Sequence, residues 1–145
     1  MMKKQHSPLT TVLKVKKYLE KKAQGELVQL VSYKNVESAA LSMLHDRHET
    51  AMTEALRYLK ARATDLQTDR AFLRTLSHQI EHQEKKVEEI QVQEDTKRDE
   101  VVEKSKSKKM VENLNDKRRV AAEKEVDRKD QRLIDVLAQR IRTEL

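Results

Sequence analysis

Cysteine is absent from this 145-residue chain, and glycine and proline occur once each. The first absence excludes a disulfide framework and any Cys-based metal site, and it fits a cytosolic protein. The scarcity of the other two removes the usual means of turning between short elements. Aromatic residues make up only 3% of the chain, so the large buried areas they supply to globular cores are missing as well. Long apolar runs are lacking too. The opening "MMKKQHSPLTTVLKVKKYLEKK" holds none long enough for a signal peptide or a membrane span. These absences exclude many short elements packed around a compact centre and leave a few very long helices.

Charge and helix-forming residues are what the chain has in quantity. Asp, Glu, Lys and Arg make up 39%, and abundant Ala, Glu, Lys, Leu, Arg and Gln favour helices. Disorder competes for such a composition, and periodicity decides against it. Leu73, Leu76, Ile80, Gln83, Val87, Ile90, Glu94, Lys97 and Val101 keep strict 3-4 spacing, the a/d seam of a coiled coil. Beyond them the phase reads as slipping and resuming through Val111 and Leu114, with Ala121 and Val126 weaker. A last apolar stripe follows at Leu133, Ile134, Leu137 and Ile141. The first half is less regular: Leu9, Val12, Val15 and Leu19, then Leu27, Leu30 and Val31, Leu41 and Leu44, and Ala55, Leu56 and Leu59.

The pattern predicts an all-α protein, a long two-helix antiparallel coiled-coil hairpin forming one domain over residues 1–145. Helix 1 is expected over about 8–62, the turn at about 63–66 and helix 2 over about 67–142. Pro8 suits a first helical turn with Ser7 as N-cap, and the isolated Gly25 weakens helix 1 rather than ending it. Thr64 and Gln67 have capping-box spacing, and Asp65 and Asp69 suit the start of a helix. Folding the sequence back on a corner near 64 makes partner numbers add to about 129. Leu56 then meets Leu73, Leu41 meets Val87, Leu27 meets Val102, Leu19 meets Met110 and Val15 meets Leu114.

Two expectations follow. The seam around Glu94, Lys97, Lys104 and Lys108 is polar, so the middle should pack more loosely than the turn end. Residues beyond about 121 have no helix 1 left to pair with, which leaves Leu133, Ile134, Leu137 and Ile141 as an exposed stripe on an overhang. Such a stripe reads as a partner site, with self-association or a frayed end as the alternatives.

"HQIEH" (78–82) fits H-x-x-E-H, a spelling in which two His one turn apart hold zinc and the Glu acts as general base. In the seam register Ile80 is an a position, so His78 and His82 face solvent. An exposed helical face has no walls for a substrate and nothing to orient the imidazoles. Zinc hydrolysis is therefore not the reading. "HDRH" (45–48) folds back near 81–84, where a fortuitous Zn or Ni site between helices is the only metal alternative. Both His pairs read as solvated polar residues.

"KSKSKK" (104–109) and "DKRR" (116–119) are interleaved with Glu103, Glu112, Asp116, Glu123, Glu125 and Asp127. Alternating signs mark an ion-paired helix face rather than a nucleic-acid stripe, and aromatics for base stacking are missing from it. The net charge of +6 sits in residues 1–22, which hold seven Lys and one Glu. That end suits nucleic acid, an anionic membrane surface or an acidic protein, without choosing among them. Phosphate loops, nucleophile elbows and Cys-His pairs do not occur. The chain reads as a non-enzyme with no cofactor.

Three stretches carry a family resemblance. They are "PLTTVLKVKKYLEKKAQGEL" (8–27), "RAFLRTLSHQIEHQ" (70–83) and "KKMVENLNDKRRVAAEKEVDRKDQRLIDVLAQRI" (108–141). In order and spacing the chain resembles the FliJ family, the coiled-coil component of the bacterial flagellar type III export apparatus, whose injectisome counterpart is the YscO family. The resemblance implies an antiparallel coiled coil like the γ stalk of rotary ATPases. It also implies as partners the hexameric export ATPase FliI, the export gate protein FlhA and export chaperones. By position it assigns the gate contact to Phe72 and Leu76, with Phe72 at g on the flank and Leu76 in the seam. For the ATPase contact the overhang supplies Leu133, Ile134, Leu137 and Ile141, with Arg128, Arg132 and Arg140 to meet acidic loops.

The function expected on this basis is a non-enzymatic stalk and chaperone-handling role in flagellar export, coupling the ATPase hexamer to the gate. Its place would be cytoplasmic, peripheral to the inner membrane through the export apparatus. The alternatives are an injectisome stalk of the YscO class, a basic coiled-coil nucleic-acid binder, and a purely structural coiled-coil dimer.

Overall fold

A computed structural model describes residues 8–57 and 63–144, with side chains from Asp65 onward in the second stretch. All of it is helical: α1 runs from Pro8 to Arg57 and α2 from Ala63 to Glu144. The two helices pack against each other antiparallel, as a coiled-coil hairpin. Contacts gather the chain into two compact units, Met1–Lys21 with Glu103–Leu145, and Lys22–Val102. The turn expected at 63–66 falls inside α2 instead, because α2 already starts at Ala63, a strong helix former. Asp65 does lie in its first turn, where a carboxylate offsets the positive end of the helix dipole. The caps expected of Ser7 and Thr64, and the seam role of Leu59, lie outside the described residues.

Burial shows one heptad seam on each helix. In α2 a continuous line of buried or half-buried positions runs through Leu66, Asp69, Leu73, Leu76, Ile80, Gln83, Val87, Ile90, Glu94, Lys97, Val101, Lys104, Lys108, Val111 and Asn115, with Lys86, Gln91, Ser105, Ser107 and Glu112 half-buried beside it. That is unbroken 3-4 spacing. The phase slip read after Val101 does not occur. Lys104 and Lys108 hold the register with half-buried stems, since a lysine can lay its methylenes along the seam and keep its ammonium near water or a carboxylate. Leu114 is 45% exposed and off the seam.

In α1 the same spacing runs through Leu13, Lys16, Glu20, Ala23, Leu27, Leu30, Lys34, Glu37, Leu41, Leu44, His48, Ala51 and Ala55. Five of these are polar, which is why apolar periodicity alone favours Val12 and Val15, both exposed here. Val102, Met110 and Leu56, expected in facing pairs, are exposed as well. Gly25 stays within the helix, and an added Cβ there would meet nothing within 4 Å.

The apolar part of the core is Ala23, Leu76, Ile80 and Ile90, each at most 9% exposed. Burying a Leu or Ile side chain contributes about 1.5–3 kcal/mol. Three such positions and one Ala are few for helices of 50 and 82 residues, so the polar seam residues must be well satisfied for the pairing to hold.

They are. Within Lys22–Val102, the Lys34 ammonium lies 2.5 Å from one Glu94 carboxylate oxygen, and the Arg98 guanidinium lies 2.7 Å from the other. Lys97 bonds Glu26 at 2.5 Å and Glu100 at 2.8 Å. Gln83 donates to the Glu37 backbone carbonyl at 2.9 Å, and Lys86 meets the Glu37 carboxylate at 3.2 Å. Within the other unit, Lys108 lies 2.9 Å from the buried Glu20. The looser packing expected around Glu94 is not found. At 1% exposed, Glu94 is the most buried residue among those described, because its charge has two cationic partners rather than none.

These pairs also correct the register. Cross-helix partner numbers add to values from 120, for Glu37 with Gln83, to 129, for His45 with Glu84. Glu26 with Lys97 gives 123, and Lys34 with Glu94 gives 128. The expected 129 is thus the upper edge of the range, and the centre lies a few residues lower.

The ion pairs set a pH window for helix pairing. Lys34, then Arg98, hold the Glu94 carboxyl below the ordinary value of 4.5. Lys97 does the same for Glu26, and for Glu37 the Gln83 amide is the main cause, with Lys86 adding to it. Stabilisation from these three is fully present above 4.5 and is lost as pH falls through the lowered values. In the other direction Glu100 and Glu26 raise Lys97, Glu37 and Tyr33 raise Lys86, and Glu20 raises Lys108, all above the ordinary 10.5. Their contribution is present below 10.5 and is lost as pH rises through the raised values. The thermal midpoint, followed by circular dichroism, should be flat between about pH 5 and 10 and fall on both sides. A midpoint still flat at pH 3 would mean that the carboxylates add nothing to pairing.

Candidate functional site

Phe72 stands on α2 one turn before the first buried seam residue. It is 54% exposed, whereas Leu76 is 3% exposed beneath it. The heptad explains both values: Leu76 is a d position facing α1, and Phe72 is a g position on the flank. A shallow recess beside the ring is lined by Ala51, Glu54 and Asp69. The ring is therefore presented outward by a helix that Leu76 and Ile80 anchor from below.

The second candidate surface is the far part of α2. Every described residue from Asp116 to Glu144 is exposed, so the overhang begins about five residues earlier than 121. Continued at 3-4 spacing, the seam would fall on Arg118, Ala122, Glu125, Lys129 and Arg132. The apolar residues lie off that line. Leu133 is 61% exposed, Ile134 57%, Leu137 50% and Ile141 63%. Arg128, Arg132 and Arg140 are exposed on the same stretch. Locally the helix is braced by Gln131, which donates to Asp135 at 3.0 Å, and by Thr143, whose hydroxyl donates to the Gln139 and Arg140 carbonyls.

The histidines take up ordinary roles. His78 and His82 are exposed on the outer face. Fold-back does bring 45–48 to the neighbourhood of 77–84: His45 lies 3.6 Å from the Glu84 carboxylate, and His48 shares a 3.4 Å hydrogen bond with the Ser77 hydroxyl. Among the described residues, groups of three or more His, Cys, Asp or Glu that could hold a metal ion are absent. Also among them, no helix is long and apolar enough to cross a membrane.

Sequence reasoning missed the cross-helix ion pairs. The signal was present as opposite charges occupying 3-4 positions in both halves, with Glu20, Lys34 and Glu37 in one and Glu94, Lys97 and Lys108 in the other. Comparison with known proteins gives one finding: a family model described as "Flagellar FliJ protein" matches residues 5–142. Neither the curated proteins nor the solved structures contain a match.

Proposed function

Because the chain belongs to the flagellar FliJ family, whose members are non-catalytic and have a flagellar export-related role, we propose that it is a stalk and chaperone-handling component of the export apparatus. It couples the hexameric export ATPase (FliI-like) to the export gate (FlhA-like), and it binds export chaperones. Its place is the cytoplasm, peripheral to the inner membrane through that apparatus. The family match over 5–142 carries this reading, and its flagellar description favours flagellar export over an injectisome.

Phe72 contacts the gate, and Leu76 holds the ring's helix in place from the seam. The overhang is the ATPase contact. Leu133, Ile134, Leu137 and Ile141 supply apolar area that a partner can bury, and Arg128, Arg132 and Arg140 pair with acidic loops. A stalk that meets six subunits with one asymmetric helix face biases them unequally, and that inequality is the coupling.

Deleting residues 130–145 is expected to abolish stimulation of the ATPase while the remaining chain stays helical by circular dichroism. The described residues among those removed are all exposed. Undiminished stimulation by the shortened chain would sink the reading.

A further inference from the structure

Between Ala23 and His45, α1 contains only three residues among Asp, Glu, Lys and Arg: Glu26, Lys34 and Glu37. All three reach across to α2, Glu26 to Lys97, Lys34 to Glu94 and Glu37 to Lys86. A chain that is 39% charged therefore turns outward about six turns of helix without a single unpaired charge. On the side directly away from the seam, Val28, Ser32, Val36, Ala39 and Met43 fall within an arc of about 80° at 100° per residue. All five are exposed, with Val28 at 64%, Val36 at 65% and Met43 at 59%. Solvent alone does not account for such a face on a segment whose charges all point the other way.

We infer that this back face of α1 packs antiparallel against the same face of a second copy of the chain. The spacing is self-complementary, as a two-fold interface requires. About an axis between Asn35 and Val36, Val28 of one copy meets Met43 of the other, Ser32 meets Ala39, and Val36 meets Asn35 beside the axis. The small pair lets the backbones approach closely, and the larger pairs close the ends. A partner recognised through ions would be met by opposite charges, and this face offers none. Antiparallel packing also separates the Lys-rich segments. Lys14, Lys17, Lys21 and Lys22 precede the stripe on the same helix, so parallel packing would set eight like charges side by side. The stripe is about 24 Å long and a single helix face wide, so it buries less than the roughly 1,200–2,000 Å² of a standard stable interface, and the dimer forms in the micromolar range.

Sedimentation equilibrium of the full chain from about 1 to 100 μM should show a monomer–dimer equilibrium. Val36→Glu should weaken it at least tenfold with unchanged helicity, and Leu137→Glu should leave it intact. The chain has no cysteine, so single cysteines report the geometry. Val36→Cys should form a disulfide-linked dimer. A mixture of Ser32→Cys with Ala39→Cys should cross-link faster than either alone. A monomer at 100 μM overturns the inference. Faster cross-linking of Ser32→Cys to itself, which marks parallel packing, also overturns it. So does a dimer that dissociates with Leu137→Glu and not with Val36→Glu, which would locate the interface on the overhang.

Discussion

Reversing one buried charge, Lys34→Glu, should lower the thermal midpoint of the chain by on the order of 10 °C, the largest loss expected from any single polar substitution here. Glu94 is 1% exposed and lies 2.5 Å from the Lys34 ammonium. The substitution leaves that carboxylate facing another and keeps only Arg98, on its own helix, as a cation. Two like charges out of water repel far more strongly than at the surface. Breaking a buried pair is more damaging than the pair's net worth, because the remaining charge is stranded. The double exchange, Lys34→Glu with Glu94→Lys, should recover part of the loss, since the pair is restored but Arg98 now sits beside a lysine. The measurement is thermal circular dichroism at pH 7 and again in high salt. An exposed pair would be screened by salt, whereas this deficit should persist. A Lys34→Glu midpoint within about 2 °C of the natural chain would show that water reaches Glu94 freely.

The contrast between the two helices explains what could be read in advance. From Leu73 to Val101, all nine seam positions expected from spacing are buried or half-buried, because apolar residues open that run and set its phase. Exposure of Phe72, burial of Leu76 and the solvent-facing His78 and His82 follow from the same register. In α1 the seam passes through Lys16, Glu20, Lys34, Glu37 and His48. Hydropathy counts each of those as outward-facing, so the reading moved to Val12 and Val15. An ion pair that spans two helices is invisible to a pattern taken along one. The overhang was recognised because apolar residues recur after the seam has turned polar. Its starting point lies about five residues before the expected one, at Asp116.

The charge pairs also make a prediction about register that runs opposite to their effect on stability. A slide of α1 past α2 by one heptad replaces one seam contact by another seven residues away. For apolar positions the exchange is nearly neutral, Leu27, Leu41 and their like being interchangeable. For the charged positions it is not. Glu94 would lose Lys34 and meet Leu27 or Leu41, Lys97 would lose Glu26 and meet Leu19 or Tyr33, and Lys108 would lose Glu20 and meet Leu13 or Leu27. Each slide leaves a charge without its partner in a seam that excludes water. The ions thus specify alignment, as single polar a positions do in other coiled coils. Replacing both partners, Lys34→Leu with Glu94→Leu, should therefore leave the thermal midpoint unchanged or raise it by on the order of 5 °C, while permitting slid alignments. Cysteine pairs read the alignment, and the chain has no native cysteine to interfere. His48 and Ser77 are in contact across the helices, so His48→Cys with Ser77→Cys should cross-link in the native register. His48→Cys paired with Arg70→Cys or Glu84→Cys reports slides of seven residues in either direction. In the natural background only the 48–77 pair should form readily. In the leucine background, where Lys97 and Lys108 keep their partners, a 48–70 or 48–84 cross-link should become detectable beside it. If the leucine variant is more stable and still closes 48–77 alone, the Lys34–Glu94 pair has no part in setting the register, which the apolar layers and the remaining pairs then hold without it.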